Sequence, residues 1–390
     1  MWGTGSSSTQ CEGAAPASDW LDWERGGHAP PSGSGNGFAA RYAEDFAALA
    51  RLGLTNHRLS IEWARLEPEA GRHDQAAIAH YRDVLHAALE AGIDPWLTLH
   101  HFTLPRWFAA QGGFLVDRNR TEVWRRHVDF VAETFGDLAR GWQPVNETNF
   151  YPTAGYRGGR FPPGHDDHQE WLSATEGIQL ATAEAAVRLK QTGAPVASIF
   201  ALAPALGHDT DPATLRQVDR IDQANWSAGL GLFRDGVLRL SGRAPVERED
   251  LAGAFDMIGF SYYLALGVRQ GRIVPHPPEA PLSPLGYGIW ADGLGLVLDR
   301  LAADLPETPL LVAEYGIGTH DDAVRADYLT RGLAIVHDAL ERGIDVRGFF
   351  HWTGVDNYEW LHGFDVSFGL MGIDRVVRPS ALVLQREALG

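Results

Sequence analysis

Eight short apolar runs, most of them separated by amphipathic helical patterns, predict an α/β fold: a single (β/α)8 TIM barrel spanning residues 1–390 as one domain. A recurring helix end supports this. Ala88-Leu89-Glu90-Ala91-Gly92-Ile93-Asp94 returns as Ala339-Leu340-Glu341-Arg342-Gly343-Ile344-Asp345, and Leu49-Ala50-Arg51-Leu52-Gly53-Leu54 is a looser copy. Each joins a helix end, a glycine free to take the left-handed conformation, and an apolar residue that opens a strand. The third observation is the lack of any Gly/Pro/Ser linker between folded halves. An open, doubly wound sheet is the alternative, but it usually has fewer strands.

The strands fall near residues 1–4, 54–60, 94–101, 141–147, 195–202, 255–262, 309–314 and 346–352. They are nearly continuous apolar runs, as expected of parallel strands covered on both faces. Helices precede several of them with a one-sided stripe. Phe38, Tyr42, Phe46 and Leu49 fall at i, i+4, i+8 and i+11; Leu329, Leu333, Val336 and Leu340 at i, i+4, i+7 and i+11. Trp124, Val128, Val131 and Phe135 repeat the pattern and end at Gly136. Gly33 to Gly37 reads as a flexible lead into a helix, and residues 275–288, rich in Pro and Gly, as a long loop over one face.

Composition excludes several classes of function. A net charge of −17 argues against nucleic acid or an anionic membrane surface as partner. Cys11 is the only cysteine, so there is no internal disulfide and no cysteine-based zinc site. No apolar stretch approaches the roughly 20 residues of a membrane helix, and Met1 to Ser6 lacks the basic and apolar regions of a signal peptide, so a cytoplasmic location is expected. Gly33 to Gly37 lacks the Gly-Lys-Ser/Thr ending of a phosphate loop. His165-Asp166-Asp167-His168 follows Pro162-Pro163-Gly164 and reads as a solvated loop rather than a metal site. There is no Gly-x-Ser-x-Gly elbow of a serine hydrolase.

In a barrel, chemistry gathers at the C-terminal ends of the strands. Arg58 ends the second, His100 and His101 the third, Asn146 and Glu147 the fourth. Ser261, Tyr262 and Tyr263 end the sixth, Glu314 the seventh, His351 and Trp352 the eighth. A carboxylate at the end of a core strand is costly to place unless the fold holds it there for chemistry. Glu147 and Glu314, far apart in sequence and similarly mounted, suggest the acid and nucleophile pair that cleaves glycosidic bonds. His100 and His101 are adjacent, so they should face opposite ways and not ligate one metal together.

These motifs resemble those of family 1 glycoside hydrolases, the β-glucosidase-like retaining enzymes, from residue 1 to about 375. Gly3-Thr4 through Gln10-x-Glu12-Gly13 is similar to the family's opening, His57-Arg58-Leu59-Ser60-Ile61-Glu62-Trp63 to its second strand, and Thr98 through Pro105 to its third. Asn146-Glu147 resembles the acid/base motif, Val312-Ala313-Glu314-Tyr315-Gly316 the nucleophile motif, and Trp352 through Trp360 with Phe368-Gly369-Leu370 the sugar-binding segment. The chain departs from the pattern at Thr148 (usually Pro), Ser261 (Asn), Tyr315 (Asn) and Phe102-Thr103 (Trp-Asp), and is shorter than typical members. Ser261, shorter than Asn, is expected to weaken contact near the sugar's 2-hydroxyl.

The resemblance implies a retaining β-glycosidase acting on a small-molecule β-glycoside, most simply an unphosphorylated β-glucoside. Glu314 would attack the anomeric carbon, and Glu147 would donate to the leaving oxygen, the carboxyls standing about 5–5.5 Å apart. Arg58 and Tyr263, with Ser261 nearby, would support the pair. Asn146 would bind the 2-hydroxyl, Gln10, His101, Glu359 and Trp360 the other hydroxyls, and Trp352 would form the stacking floor. No metal or organic cofactor is required. The alternatives are a β-galactosidase or β-fucosidase, a transglycosylase, or an inactive carbohydrate-binding member.

Overall fold

The computed structural model describes residues 1–390. Eight parallel strands form one sheet: β1 (Trp2–Gly5), β2 (Asn56–Ser60), β3 (Asp94–Thr98), β4 (Gly141–Trp142), β5 (Phe200–Ala201), β6 (Ile258–Tyr262), β7 (Leu310–Tyr315) and β8 (Val346–Trp352). Their spatial order is β4-β3-β2-β1-β8-β7-β6-β5. The ring closes between its two ends. Trp142 pairs with Val196 in parallel, the Trp142 amide donating to Pro195 O at 2.9 Å and the Ala197 amide to Trp142 O at 2.8 Å. All eight expected strands are present.

Two strands are shorter than the sequence suggests. Pro144 has no amide hydrogen, so the ladder of β4 stops at Trp142 and resumes only where Val145 meets His100. In the fifth, Val196 and Ala197 pair by single bridges before the ladder at Phe200.

Helices wrap the outside: α1 (Phe38–Arg51), α2 (Gln75–Glu90), α3 (Arg125–Phe135), α4 (His168–Leu189), α5 (Ala228–Asp235), α6 (Gly293–Asp304), α7 (Asp322–Glu341) and α8 (Ala381–Leu389). Their buried faces and the outer faces of the strands form one cluster of 84 buried residues. The stripe of α1 packs as expected, with Phe38, Phe46 and Leu49 buried, and Trp124, Val128, Val131 and Phe135 are all buried ahead of Gly136. On α7, Leu329, Leu333 and Val336 are buried but Leu340 is 46% exposed. Leu340 lies within the angular stripe of Leu329, Leu333 and Val336, and its exposure comes with its place one residue before the helix end at Glu341. Gly53, Gly92 and Gly343 take φ of 74°, 77° and 85°, the left-handed turn expected of the repeated helix end.

The barrel interior is a separate, smaller core: Trp96, Ala197, Ile199, Met257, Leu311, Ala313 and Phe350. Large rings fit there because small residues face them. A Cβ on Gly141 would lie 2.3 Å from the Trp96 ring, and one on Gly3 would lie 2.8 Å from Phe350. This plug fills the lower barrel and leaves its C-terminal mouth for polar side chains.

Between β5 and α6 the chain builds a small outer sheet from Ala205–Gly207, Ala265–Arg269 and Arg272–His276. The segment read as a loop over 275–288 therefore starts inside a strand, because Arg272–His276 pairs antiparallel with Ala265–Arg269. The hairpin stands beside the mouth. No helix is long and apolar enough to cross a membrane.

Candidate active site

The mouth is organised by Arg58, which β2 carries into it fully buried. One guanidinium nitrogen donates to Glu314 Oε1. Another lies 3.0 Å from His101 Nδ1 and 3.3 Å from Asn146 Oδ1. The guanidinium also sits 5.1 Å from the centre of the Trp352 ring. One cation thus ties together residues from β2, β7, β8 and the segments after β3 and β4. Burial, then the neighbouring Arg58 charge, hold His101 well below its usual titration range. It is neutral; Nδ1 lies against the Arg58 donor, and Nε2 lies 3.3 Å from the Asn146 amide nitrogen. As expected, His100 faces the other way, its ring 4.7 Å from Tyr151 and 5.6 Å from Phe114.

Glu314 points into the mouth because β7 breaks its alternation. Leu311 and Ala313 belong to the barrel interior, whereas Val312 and Tyr315 pack outward. Simple alternation would send Glu314 outward after Ala313. The register with β6 shifts between Val312 and Glu314, a β-bulge that turns two successive side chains inward. Glu314 then accepts from Arg58 and, at 2.5 Å, from the Tyr263 hydroxyl. Burial first, and then the Glu314 charge, push the Tyr263 phenol well above its usual range, so it stays a donor. Tyr315, where the resembling family has Asn, leaves the mouth altogether: its hydroxyl donates to Tyr328 O at 2.8 Å.

Glu147 has a different setting. It lies past the end of β4 in the left-handed region, at φ 47°, a conformation that costs a non-glycine residue about 1–3 kcal/mol. Its carbonyl accepts from the Phe150 amide at 2.9 Å, which starts a helical turn. The Ser261 hydroxyl donates to Glu147 Oε1. Ser261 therefore holds the carboxyl of Glu147, a contact that its sequence position does not suggest. Burial, then repulsion from Glu314, push the Glu147 carboxyl up to about 8, against the opposing pull of Ser261 and Arg58. The two glutamates thus have opposite settings: one has two strong donors, the other is buried against a like charge.

Glu359 completes a third carboxyl in the same cavity. Burial, followed by the charges of Glu314 and Glu147, pushes it up to about 8. Gln10 stands behind it. Its amide donates to Glu359 Oε2 at 3.2 Å and to Tyr358 O at 2.9 Å, while its carbonyl accepts from Ser7 at 2.8 Å. With every polar position so engaged and no exposure, Gln10 braces Glu359. Trp352 and Trp360 flank the opening with rings 5.7 and 6.0 Å from His101 and nearly parallel to it.

These groups line one cavity of about 550 Å3, which also exposes Phe102, Phe150, Phe161, Leu285 and Tyr287. Of the residues singled out in the sequence, His101, Asn146, Glu147, Ser261, Tyr263, Glu314, Trp352, Glu359 and Trp360 line it directly; Arg58 and Gln10 act from beneath. The aromatic and aliphatic lining was not singled out. Its only signal was the length of the 275–288 segment, which supplies Leu285 and Tyr287. In the His165 to His168 segment, Asp167 caps α4, accepting from the Gln169 and Glu170 amides at 2.7 and 2.9 Å.

Comparison with known proteins shows the family of the chain. Residues 1–387 match the model of glycosyl hydrolase family 1, and the chain belongs to that family. It is 27% identical to a coniferin β-glucosidase of Pinus contorta, over 96% of this chain and 87% of the other. It is equally 27% identical to a β-galactosidase of Saccharolobus solfataricus, over 96% and 90%. Among solved structures, a β-glycosidase from Pyrococcus horikoshii superposes with a TM-score of 0.90 at 29% identity, over 99% of this chain and 93% of that one. The protein is a glycoside hydrolase of the retaining β-glycosidase type.

The setting of Glu147 predicts a pH dependence. A carboxyl near 8 is protonated below that pH, so kcat/KM should fall as pH rises through about 8. Ser261 favours the ionised form, so Ser261→Ala should move this alkaline limb to higher pH, as read from the pH profile of kcat/KM. A limb that stays in place or moves down would contradict the assigned contact.

Proposed function

We propose that this family 1 glycoside hydrolase is a β-glucosidase that cleaves unphosphorylated β-glucosides through a covalent glycosyl-enzyme, with β-galactosides or β-fucosides as weaker or comparable substrates. The observation that carries the reading is the unequal setting of the two glutamates. Glu314, facing the Arg58 and Tyr263 donors, attacks the anomeric carbon as the leaving oxygen departs. Glu147, raised and therefore protonated at neutral pH, gives its proton to that oxygen. Glu147 then deprotonates the water that releases the sugar, and the first state is restored. Asn146 and His101 line the cavity where the sugar hydroxyls would lie, and Trp352 offers a ring for its apolar face.

The glycone is neutral on this reading. Three carboxyls share the cavity, and their mutual repulsion already raises Glu147 and Glu359. A dianionic phosphate on the sugar would add to it. The segment Leu361 to Phe368 carries no Lys or Arg, and Arg58 is already committed to Glu314. The one guanidinium that lines the cavity, Arg160, comes from the segment after β4, on the wall with Phe150.

Glu314→Ala should lower turnover of an aryl β-glucoside by several orders of magnitude, and added azide should partly restore cleavage and yield the α-glucosyl azide. Near-normal activity would remove Glu314 from the mechanism. For the wild-type protein, kcat/KM should be higher with an aryl β-glucoside than with its 6-phosphorylated counterpart. The reverse order would overturn the neutral-sugar reading.

A further inference from the structure

The glycone half of the cavity, around His101, Asn146, Trp352 and Glu359, is polar, and the other half is mainly apolar. Because Glu147 protonates the leaving oxygen, the leaving group must lie on the side of Glu147 away from those residues. That side is bounded by the helical turn that Glu147 itself starts, which carries Phe150, and by the segments after β5 and β6. The latter supply Leu202, Leu264 and Leu266, with Ile273 from the returning strand of the outer hairpin. Phe150, Leu264 and Leu266 are half-buried, and Ile273 is 54% exposed. Apolar surface left open at the rim of a catalytic cavity marks a place for an apolar ligand.

Of the polar residues on the same side, Arg160 is exposed at the rim, whereas Asn149 and Thr153 are largely engaged. The Asn149 amide donates to Ala201 O at 2.7 Å and to Asn225 O at 3.1 Å, and its carbonyl accepts from the Ala201 amide at 2.8 Å. The Thr153 hydroxyl donates to Asn149 O at 3.0 Å and accepts from the Trp171 indole at 3.2 Å. Both line the cavity, and neither has a donor left in this arrangement for a ligand, each keeping one acceptor lone pair. A second sugar seated here would lose hydration from its hydroxyls against aliphatic walls, whereas an apolar group would lose nothing of the kind.

We propose that the leaving-group half of the cavity selects an apolar aglycone, aryl or alkyl, and discriminates against a second sugar, with Leu266 and Ile273 of the outer hairpin as specificity-determining residues. This rests on the β-glucosidase reading above. The test is kcat/KM along a series of n-alkyl β-glucosides from methyl to hexyl, with cellobiose alongside. The leaving oxygen barely changes in reactivity along the alkyl series, so the trend reports contact with the aglycone. A methylene moved from water to an apolar wall is worth up to roughly a fourfold change, so hexyl should exceed methyl glucoside by 10-fold or more, and cellobiose should fall well below hexyl glucoside. Leu266→Asn and Ile273→Ser should each shrink the hexyl-to-methyl ratio several-fold, whereas general damage to the fold would lower both substrates together and leave the ratio in place. A flat alkyl series, an unchanged ratio in both variants, or a preference for cellobiose would overturn the proposal while leaving the glucosidase reading intact. Turnover of galactosides but of no glucoside would overturn that reading, and this proposal with it.

Discussion

A buried cation holds the mouth of this barrel together. Arg58 is fully buried, and a charge in that position is unfavourable by several kcal/mol unless it is paired and hydrogen-bonded. Glu314 supplies the counter-charge, His101 and Asn146 accept from the guanidinium, and Trp352 lies against it. Strands distant in sequence are thereby fixed to one another at the end where substrate enters. The proposed nucleophile is thus also the counter-ion of the fold, so removing either partner leaves an uncompensated charge in a dry place.

The same pairing separates the roles of the two glutamates. A barrel places several carboxyls in one mouth, and alone they would compete for ionisation. Here Glu314 takes the Arg58 and Tyr263 donors, while Glu147 is left with burial, the Glu314 charge and a single hydroxyl from Ser261. On the proposed mechanism, this difference of environment fits one carboxyl to attack and the other to give a proton. Glu359 experiences the same repulsion and is braced by Gln10, so the whole polar half of the cavity is one coupled electrostatic unit.

Much of this was legible in the sequence because it depends on local pattern. Continuous apolar runs marked the strands, and the repeated glycine after α1, α2 and α7 marked where helices return to the sheet. The residues that end those strands named most of the mouth. What escaped was set by departures from regular geometry. The bulge that turns Glu314 inward is a mismatch between β6 and β7, which a single strand's sequence does not display. The left-handed backbone of Glu147 is imposed by the surrounding chain against the residue's own preference. The bond from Ser261 to Glu147 was not legible because the two lie 114 residues apart. The apolar wall came from loops and an outer hairpin, whose side chains follow no helical or strand period toward the mouth.

The central claim is that cleavage proceeds by two displacements at the anomeric carbon, with Glu314 carrying the sugar between them. The stereochemistry of the product tests this most directly, because each displacement inverts the centre. Proton NMR of a β-glucoside during the first minutes of hydrolysis should show the β-anomer of the free sugar first, with the α-anomer growing only as mutarotation proceeds. An initial α-anomer would mean a single displacement by water, and would contradict the account of Glu314, Arg58 and Tyr263 as the apparatus of a covalent intermediate.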